Sequence, residues 1–310
     1  MARLSVERIV IIGAGPAGIS AAIQLRRVGL APVLLEKNEV GGLLRNAHRV
    51  ENYPGFPDGI AGPDLVARFK AHLEAWKIKV RKAEAIRLSA LPEKRLSVET
   101  EETVFRPEIV IVASGTRPEA IDLPGSEGLR GRRIFYEPVE MPLERLSGKR
   151  VIVAGGGDAA LDYALNLRAK GAHVSILTRS KPCGLALLQR RIEDGHIEVK
   201  AQVALLSAQK RESGLRLKIR QGERMRTLAA DYLLLACGRT PARSFFDGVL
   251  ENLIPPETIE TGIPGLFLAG DVIRGRYRQT GIAVGDGLLA AMKAEEYLRR
   301  GREANGKGRR

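Results

Sequence analysis

Two turns made almost entirely of glycine and alanine, each following a short β-rich apolar run, constrain this chain more than any other feature. The first run, Arg8–Ile12, enters Gly13-Ala14-Gly15-Pro16-Ala17-Gly18. An apolar helical stretch, Ile19–Val28, then ends at Gly29, and a second strand, Pro32–Leu35, closes on Glu36. The second run, Lys149–Ala154, enters Gly155-Gly156-Gly157-Asp158-Ala159-Ala160. An apolar helical face follows from Leu161 through Leu165, Gly171 stops it, and His173–Leu177 is the next strand. A continuous apolar run of this length reads as a strand buried on both faces, as in a parallel sheet. Strand, glycine turn, helix and strand in this order form a dinucleotide-binding unit. The chain carries two such units, so the expected fold is α/β, with two Rossmann-like, three-layer nucleotide-binding domains.

Each residue type has a physical role. Gly13 permits the tight turn, Gly15 lets the backbone approach a pyrophosphate, and Gly18 allows close packing of helix on strand. The helix that follows offers free N–H groups and a positive dipole to phosphates. Pro16 and Ala17 belong to the same turn. Glu36, at the end of the second strand, can accept hydrogen bonds from ribose hydroxyls. In the second unit Gly155, Gly157, Asp158 and Ala159 repeat the pattern, with Ala160 in place of the last glycine. The end of its second strand is Thr178-Arg179-Ser180-Lys181 rather than an acid. A carboxylate there would repel a 2′-phosphate, whereas arginine grips one. The second nucleotide is therefore read as NADPH, with NADH possible. Two copies of a single-cofactor domain would need only the two fingerprints and would leave the remaining motifs unexplained.

Those motifs are Gly41-Gly42-Leu43-Leu44, Val50-Glu51-Asn52-Tyr53-Pro54-Gly55, and Ser114-Gly115-Thr116 after the apolar run at 110–113. Further on come Ala236–Pro241, Ile263–Asp271 and Tyr277-Arg278-Gln279-Thr280-Gly281, the last leading into an amphipathic helix over about 282–298. With the two fingerprints, their order and spacing resemble the low-molecular-weight thioredoxin reductase group of pyridine nucleotide–disulfide oxidoreductases over about 300 residues. The resemblance implies an FAD domain in two pieces, 1–117 and 244–310, with an NAD(P)H domain, 118–243, inserted between them. It implies a homodimer. It assigns FAD to Gly13, Gly15, Pro16, Ala17, Gly18, Glu36, Gly42, Asn52, Ser114, Gly115, Gly270, Asp271, Arg278, Gln279 and Thr280. Asp271 matches the aspartate that bonds the ribityl chain. Arg278, Gln279 and Thr280 match the segment whose amides face the flavin N1–C2=O edge, where a helix N-terminus stabilises the negative charge left by hydride addition. The crossings near 117–124 and 238–247 carry proline and glycine and suit a hinge, so a rotation of the inserted domain is expected before hydride transfer.

The sequence departs from the group at its redox centre. The stretch corresponding to the redox-active CxxC is Ile134-Phe135-Tyr136-Glu137-Pro138-Val139-Glu140-Met141, which has no cysteine. The chain's two cysteines, Cys183 and Cys237, lie 54 positions apart. Cys237 reads as a buried strand-end thiol, and Cys183 as a thiol near the nucleotide with no partner. No side chain is assigned a catalytic role, because the flavin is the redox centre. Only one of the three arginines of the group's usual phosphate grip is present, at Arg179, with Lys181 nearby. Loss of the thiol pair also marks the thioredoxin reductase-like ferredoxin–NADP⁺ reductases and the bacillithiol-disulfide reductases. The tail here lacks the aromatic of the former, and Ala17 stands where the latter carry a cysteine.

Other chemistries find little support. Ser114 lacks a nucleophile-elbow context. The four histidines, His48, His72, His173 and His196, form no metal-spaced pair, so no metal is expected. Phe69, Leu73 and Trp76 share a helical face and read as core. Among 310 residues, 50 are Lys or Arg and 36 Asp or Glu, a formal net charge of +14. The tail, 299–310, holds six basic residues against one acidic, with three glycines, and is expected to fray. The remaining excess reads as scattered, without the aromatic-interleaved stripe of a nucleic-acid binder. No apolar run approaches a membrane span, and the low cysteine content points to a reducing compartment, so a soluble, cytoplasmic protein is expected. The motifs and the resemblance together imply an FAD-dependent NAD(P)H oxidoreductase passing electrons from the flavin to an external acceptor. A positive surface favours an acidic redox protein such as ferredoxin or flavodoxin; a quinone, a small disulfide or dioxygen are alternatives. The competing class is a flavin-binding sensor or partner protein without turnover.

Overall fold

In the computed structural model, residues 3–5, 8–92, 95–248 and 258–307 are described. The apolar runs form two five-stranded parallel sheets. The first has the order Leu266–Leu268, Ile109–Val112, Ile9–Ile12, Val33–Glu36, Val80–Lys82. The second has the order Ile134–Phe135, Tyr232–Leu235, Arg150–Ala154, His173–Leu177, Glu198–Lys200. Every neighbouring pair in both sheets is parallel. The first sheet therefore recruits its edge strand from near the C-terminus, and the whole of the second sheet lies in the intervening chain.

Each sheet is the middle of three layers, and its alternate residues divide between two cores. Ile9 and Ile11 pack against helices α1 (Pro16–Arg27) and α2 (Gly62–Ala75) and the C-terminal helix (Thr280–Lys307) through residues such as Leu25, Leu73 and Ala290. Val10 and Ile12 face Leu88, Val98 and Phe105 of a four-stranded sheet on the other side. In the second unit Val151 and Val153 meet helix α3 (Asp158–Ala169) and helix α4 (Ala186–Asp194) through Leu167 and Ile192. Ile152 and Ala154 meet Leu215, Leu217 and Ile219 of the antiparallel sheet Val203–Arg211, Gly214–Gln221, Arg224–Ala230. The architecture is that of the two three-layer Rossmann-like units expected. We label the C-terminal helix α5.

The chain crosses between the units twice, and the crossings pair with each other. Thr116–Pro118 and Arg239–Pro241 form an antiparallel ribbon, and Arg239 Nε donates to Thr116 Oγ1 at 2.8 Å.

Three expectations change. Trp76 caps the end of α2 with 37% of its surface exposed, while Leu73 is buried. Helix α5 runs on to Lys307, so the tail as far as that residue is helical rather than frayed; residues 308–310 lie outside the described residues. The positive charge is also not simply scattered. Residues 203–230 carry seven basic residues against two acidic. Arg216, Lys218 and Arg220 alternate with buried Leu215, Leu217 and Ile219, so the central strand turns a cationic face to solvent.

The glycines of the first turn differ in what surrounds them. A Cβ on Gly18 would lie 1.8 Å from the Gly13 carbonyl oxygen, whereas one on Gly15 meets nothing within 4 Å. Gly18→Ala is therefore expected to cost about 3 kcal/mol of folding free energy. Gly15→Ala is expected to change it by less than about 1 kcal/mol. Denaturant unfolding of the nucleotide-free proteins measures both.

Candidate functional site

The two glycine turns open onto one cavity of about 1350 Å³. On the first unit, α1 begins at Pro16 with Gly15 as its cap and neither a capping side chain nor an acid in its first turn. Its first amides are thus left for a ligand. The Glu36 carboxylate is fixed at the rim by the N–H groups of Ala14 (2.8 Å) and Asn38 (2.9 Å). Opposite, α5 begins at Thr280, again with no acid in its first turn, and Asn52 Nδ2 donates to Gln279 Oε1 at 2.9 Å. Asp271 lines the cavity, and burial raises its pKa, with Arg278 opposing. It does not cap a helix; the buried Asp286 of α5 takes the Gly270 N–H (3.2 Å) and the Arg274 guanidinium.

On the second unit, α3 begins at Asp158 with Gly157 as its cap, and a Cβ on Gly157 would meet nothing within 4 Å. Asp158 is engaged by the Leu185 N–H at 2.7 Å. Thr178 and Arg179 line the cavity at the end of their strand.

Of the residues singled out from sequence, Gly18, Gly270 and Lys181 do not line the cavity; the others do. Gly18 and Gly270 sit behind its wall, where a Cβ would strike Gly13 and Ala17 respectively. Lys181 is exposed. Both cysteines reach the cavity. Cys237 is not the buried thiol expected: it has surface open to the cleft, while the atoms packed around its sulfur raise its pKa and Sγ donates to the Ala154 carbonyl at 3.1 Å. His48 does not line the cavity.

Sequence reasoning missed Tyr136, Glu137, Asp162, Tyr163 and Arg239, all cavity-lining. Glu137 Oε1 pairs with Arg239 Nη2 at 2.9 Å, and its Oε2 accepts from Asn46 Nδ2 at 3.1 Å. Asp162 Oδ2 accepts the His48 N–H at 2.8 Å, and the Arg49 amide also bonds to that carboxylate. Tyr136 and Glu137 lie in the stretch read only for its missing cysteines, Arg239 lies in the Ala236–Pro241 motif without a role of its own, and Asp162 and Tyr163 lie on the apolar helix after the second turn. Among the described residues no group of three or more His, Cys, Asp or Glu could hold a metal ion, and no helix is long and apolar enough to cross a membrane.

The cavity residues present fit a large anionic ligand. Arg278 Nε is buried without a hydrogen-bond partner, and burial lowers the pKa of its guanidinium. A buried donor of this kind is satisfied by an acceptor on the ligand. The two uncapped helix starts supply further unpaired amides.

Burial pushes the Asp162 pKa up from 3.8 to about 6 against the bonds from His48 and Arg49. A raised folded-state pKa means that its contribution to stability is complete below about pH 3.8 and is lost as pH rises through about 6, at most about 3 kcal/mol. His48, lowered chiefly by burial and then by Arg191, acts in the opposite direction. Asp162→Asn removes the first effect and keeps the second. Between about pH 4 and about pH 7 the unfolding free energy of wild type is expected to fall relative to Asp162→Asn by up to about 3 kcal/mol, as read by denaturant titration at each pH.

Comparison with known proteins places this cavity in context. The family model described as pyridine nucleotide-disulphide oxidoreductase matches residues 7–287. A thioredoxin reductase of Streptomyces clavuligerus is 32% identical over 305 residues, covering 94% of both chains. A 34.2 kDa protein in the rubredoxin operon of Clostridium pasteurianum is 30% identical, covering 94% of this chain and 96% of its own. The Lactococcus lactis thioredoxin reductase in its FR conformation superposes with a TM-score of 0.85 at 26% identity, covering 95% of this chain and 99% of its own. The Streptococcus pyogenes thioredoxin reductase, also 26% identical and covering 97% and 100%, superposes with a TM-score of 0.60. Proteins of this family use FAD and NADPH. The chain belongs to the pyridine nucleotide-disulphide oxidoreductase family.

Proposed function

We propose that the chain is an NAD(P)H-dependent flavoprotein oxidoreductase that hands electrons from flavin to an external acceptor without a thiol relay. One observation carries this reading. Both fingerprints open onto a single cavity, and the chain's two cysteines lie 54 positions apart with no CxxC. Bound NADPH and FAD supply the redox chemistry, the nicotinamide as hydride donor and the flavin as hydride acceptor.

The residues of the chain bind and orient. The α1 start with Gly13, Gly15, Pro16 and Ala17 holds the FAD pyrophosphate, Glu36 the ribose, and Asp271 the ribityl chain. Gly42, Asn52, Ser114 and Gly115 complete that wall, with Gly18 and Gly270 packing behind it. The N-terminus of α5, with Arg278, Gln279 and Thr280, places a positive dipole where charge develops on the flavin. The α3 start with Gly155, Gly157, Asp158, Ala159 and Ala160 holds the second pyrophosphate, and Thr178 and Arg179 meet the adenosine ribose and its 2′-phosphate. Lys181, exposed beside them, adds positive potential. The FAD unit comprises 1–117 and 244–310, and the nicotinamide unit 118–243.

The acceptor on this reading is an acidic redox protein of the ferredoxin or flavodoxin kind. The net charge of +14, the cationic face of residues 203–230 and the relative in a rubredoxin operon support it. Helix α5 exposes Ile282, Leu288, Leu289 and Met292, an apolar stripe that supports a homodimer. The protein is placed in the cytoplasm, where its two unpaired thiols stay reduced.

Purified protein is expected to be yellow and to bleach anaerobically with NADPH. A colourless protein that takes up no flavin, or a flavin that neither NADPH nor NADH bleaches, defeats the proposal. The Cys183→Ser/Cys237→Ser double variant is expected to bleach with NADPH and to be reoxidised by an added acceptor such as ferredoxin at the wild-type rates; normal bleaching with reoxidation lost would restore a thiol relay. Arg179→Glu is expected to raise the NADPH concentration for half-maximal bleaching by about tenfold or more, leaving NADH unaffected.

A further inference from the structure

The loop at residues 46–51, beside the first nucleotide site, is tied to its own unit by backbone bonds with Leu44, Ile60 and Gly62 and by Arg49 to the Asp58 carbonyl, and its other bonds cross to the second unit. Asn46 is 1% exposed. Its Nδ2 donates to Glu137 (3.1 Å), its Oδ1 accepts the Val139 N–H (3.1 Å), and its carbonyl accepts from Asn166 Nδ2 (3.2 Å). Asp162 of α3 reaches back to the amides of His48 and Arg49. At the rim Arg191 of α4 forms a bidentate pair with Glu51 at 2.8 and 2.7 Å. Glu137 and Val139 lie in the stretch that corresponds to the dithiol segment.

The side chains of Asn46 and Asp162 are satisfied only across the boundary between units, and moving one unit against the other would strip both of their partners.

We propose that Asn46 and Asp162 are positioning residues: they hold the two units in the one arrangement in which both glycine turns share a cleft, and hydride transfer takes place in that arrangement without a rotation between units. The second half of this statement rests on the function proposed above, and the first half does not.

Small-angle X-ray scattering of the flavin-loaded protein, with and without NADPH, tests the arrangement without requiring turnover. Wild type is expected to give one profile, computed from this structure, in both conditions. Asn46→Ala and Asp162→Ala are expected to shift the profile and to slow the limiting rate of anaerobic flavin bleaching by about tenfold to a hundredfold. Flavin content and the NADPH concentration for half-maximal bleaching are expected to stay unchanged. Asp162→Asn, which keeps a carbonyl oxygen facing the two amides, is expected to recover the wild-type profile and most of the rate. A wild-type profile that changes on adding NADPH overturns the proposal, as do alanine variants that scatter and bleach like wild type. If those variants fail to fold, the rim pair Glu51→Gln/Arg191→Gln carries the test: a shifted profile supports the latch, and an unchanged profile with an unchanged rate overturns it. A wild type that is never bleached removes the redox reading and leaves the scattering arm to decide the positioning role.

Discussion

An unscreened helix N-terminus is useful only if the chain keeps everything else away from it, and that requirement shapes much of this molecule. At Gly15 and Gly157 the backbone turns with no side chain in the way, and α1 and α3 start without a capping side chain. Free amides are the result at both starts, and α1, with no acid in its first turn, keeps an uncompensated dipole, while Asp158 stands in the first turn of α3. Such sites occur at the carboxyl ends of parallel strands. Two of them can face one cavity only if the carboxyl edges of two sheets are turned toward each other. The chain achieves this by leaving the first sheet after Ile109–Val112, building the second sheet whole, and returning for the strand Leu266–Leu268. The exit and return segments pair as a ribbon at the boundary. The nucleotide cradle, the order of the strands and the split first unit are thus consequences of one electrostatic arrangement.

What was legible in the sequence is what local chemistry alone decides. Ile9–Ile12 is a strand because its continuous β-branched run has no solvated face to offer, and all four residues are buried. Gly13 and Gly18 lie where the carbonyls of Ala113 and Gly13 leave no space for a Cβ. The strands around both turns fall within one residue of their expected limits, whereas both helices begin three residues earlier than expected, at Pro16 and Asp158, because the glycine turns run directly into them. What was not legible depends on partners far away in the chain. Asn46 sits in a short 3₁₀ turn, Gly42–Asn46, with no periodicity, and its partners lie about ninety or more positions further on. Cys237 follows an apolar run that suggests burial, yet the cleft opens beside it. Trp76 ends its helix one residue past the packed face. The alternation of Arg216, Lys218 and Arg220 was present in the sequence, but it becomes a surface only once Leu217 and Ile219 are known to face the core.

The latch and the missing thiol pair bear on one another. A dithiol relay must meet flavin in one state and an outside partner in another, so the segment carrying it has to leave its seat in every turnover. Buried polar contacts at that seat would be broken and remade each time, with the desolvation cost of each orphaned group added to the barrier. In this chain the corresponding segment supplies Glu137 and Val139 to Asn46, and Glu137 is also held by Arg239 of the crossing ribbon. A carboxylate paired this way carries no electrons and gains nothing by moving. Without a relay to carry, the segment has no need to leave its seat, and Asn46 and Asp162 find their partners in this arrangement. On the function proposed above, the acceptor would come to the flavin, and long-range attraction between the cationic face of residues 203–230 and an acidic partner would supply that approach.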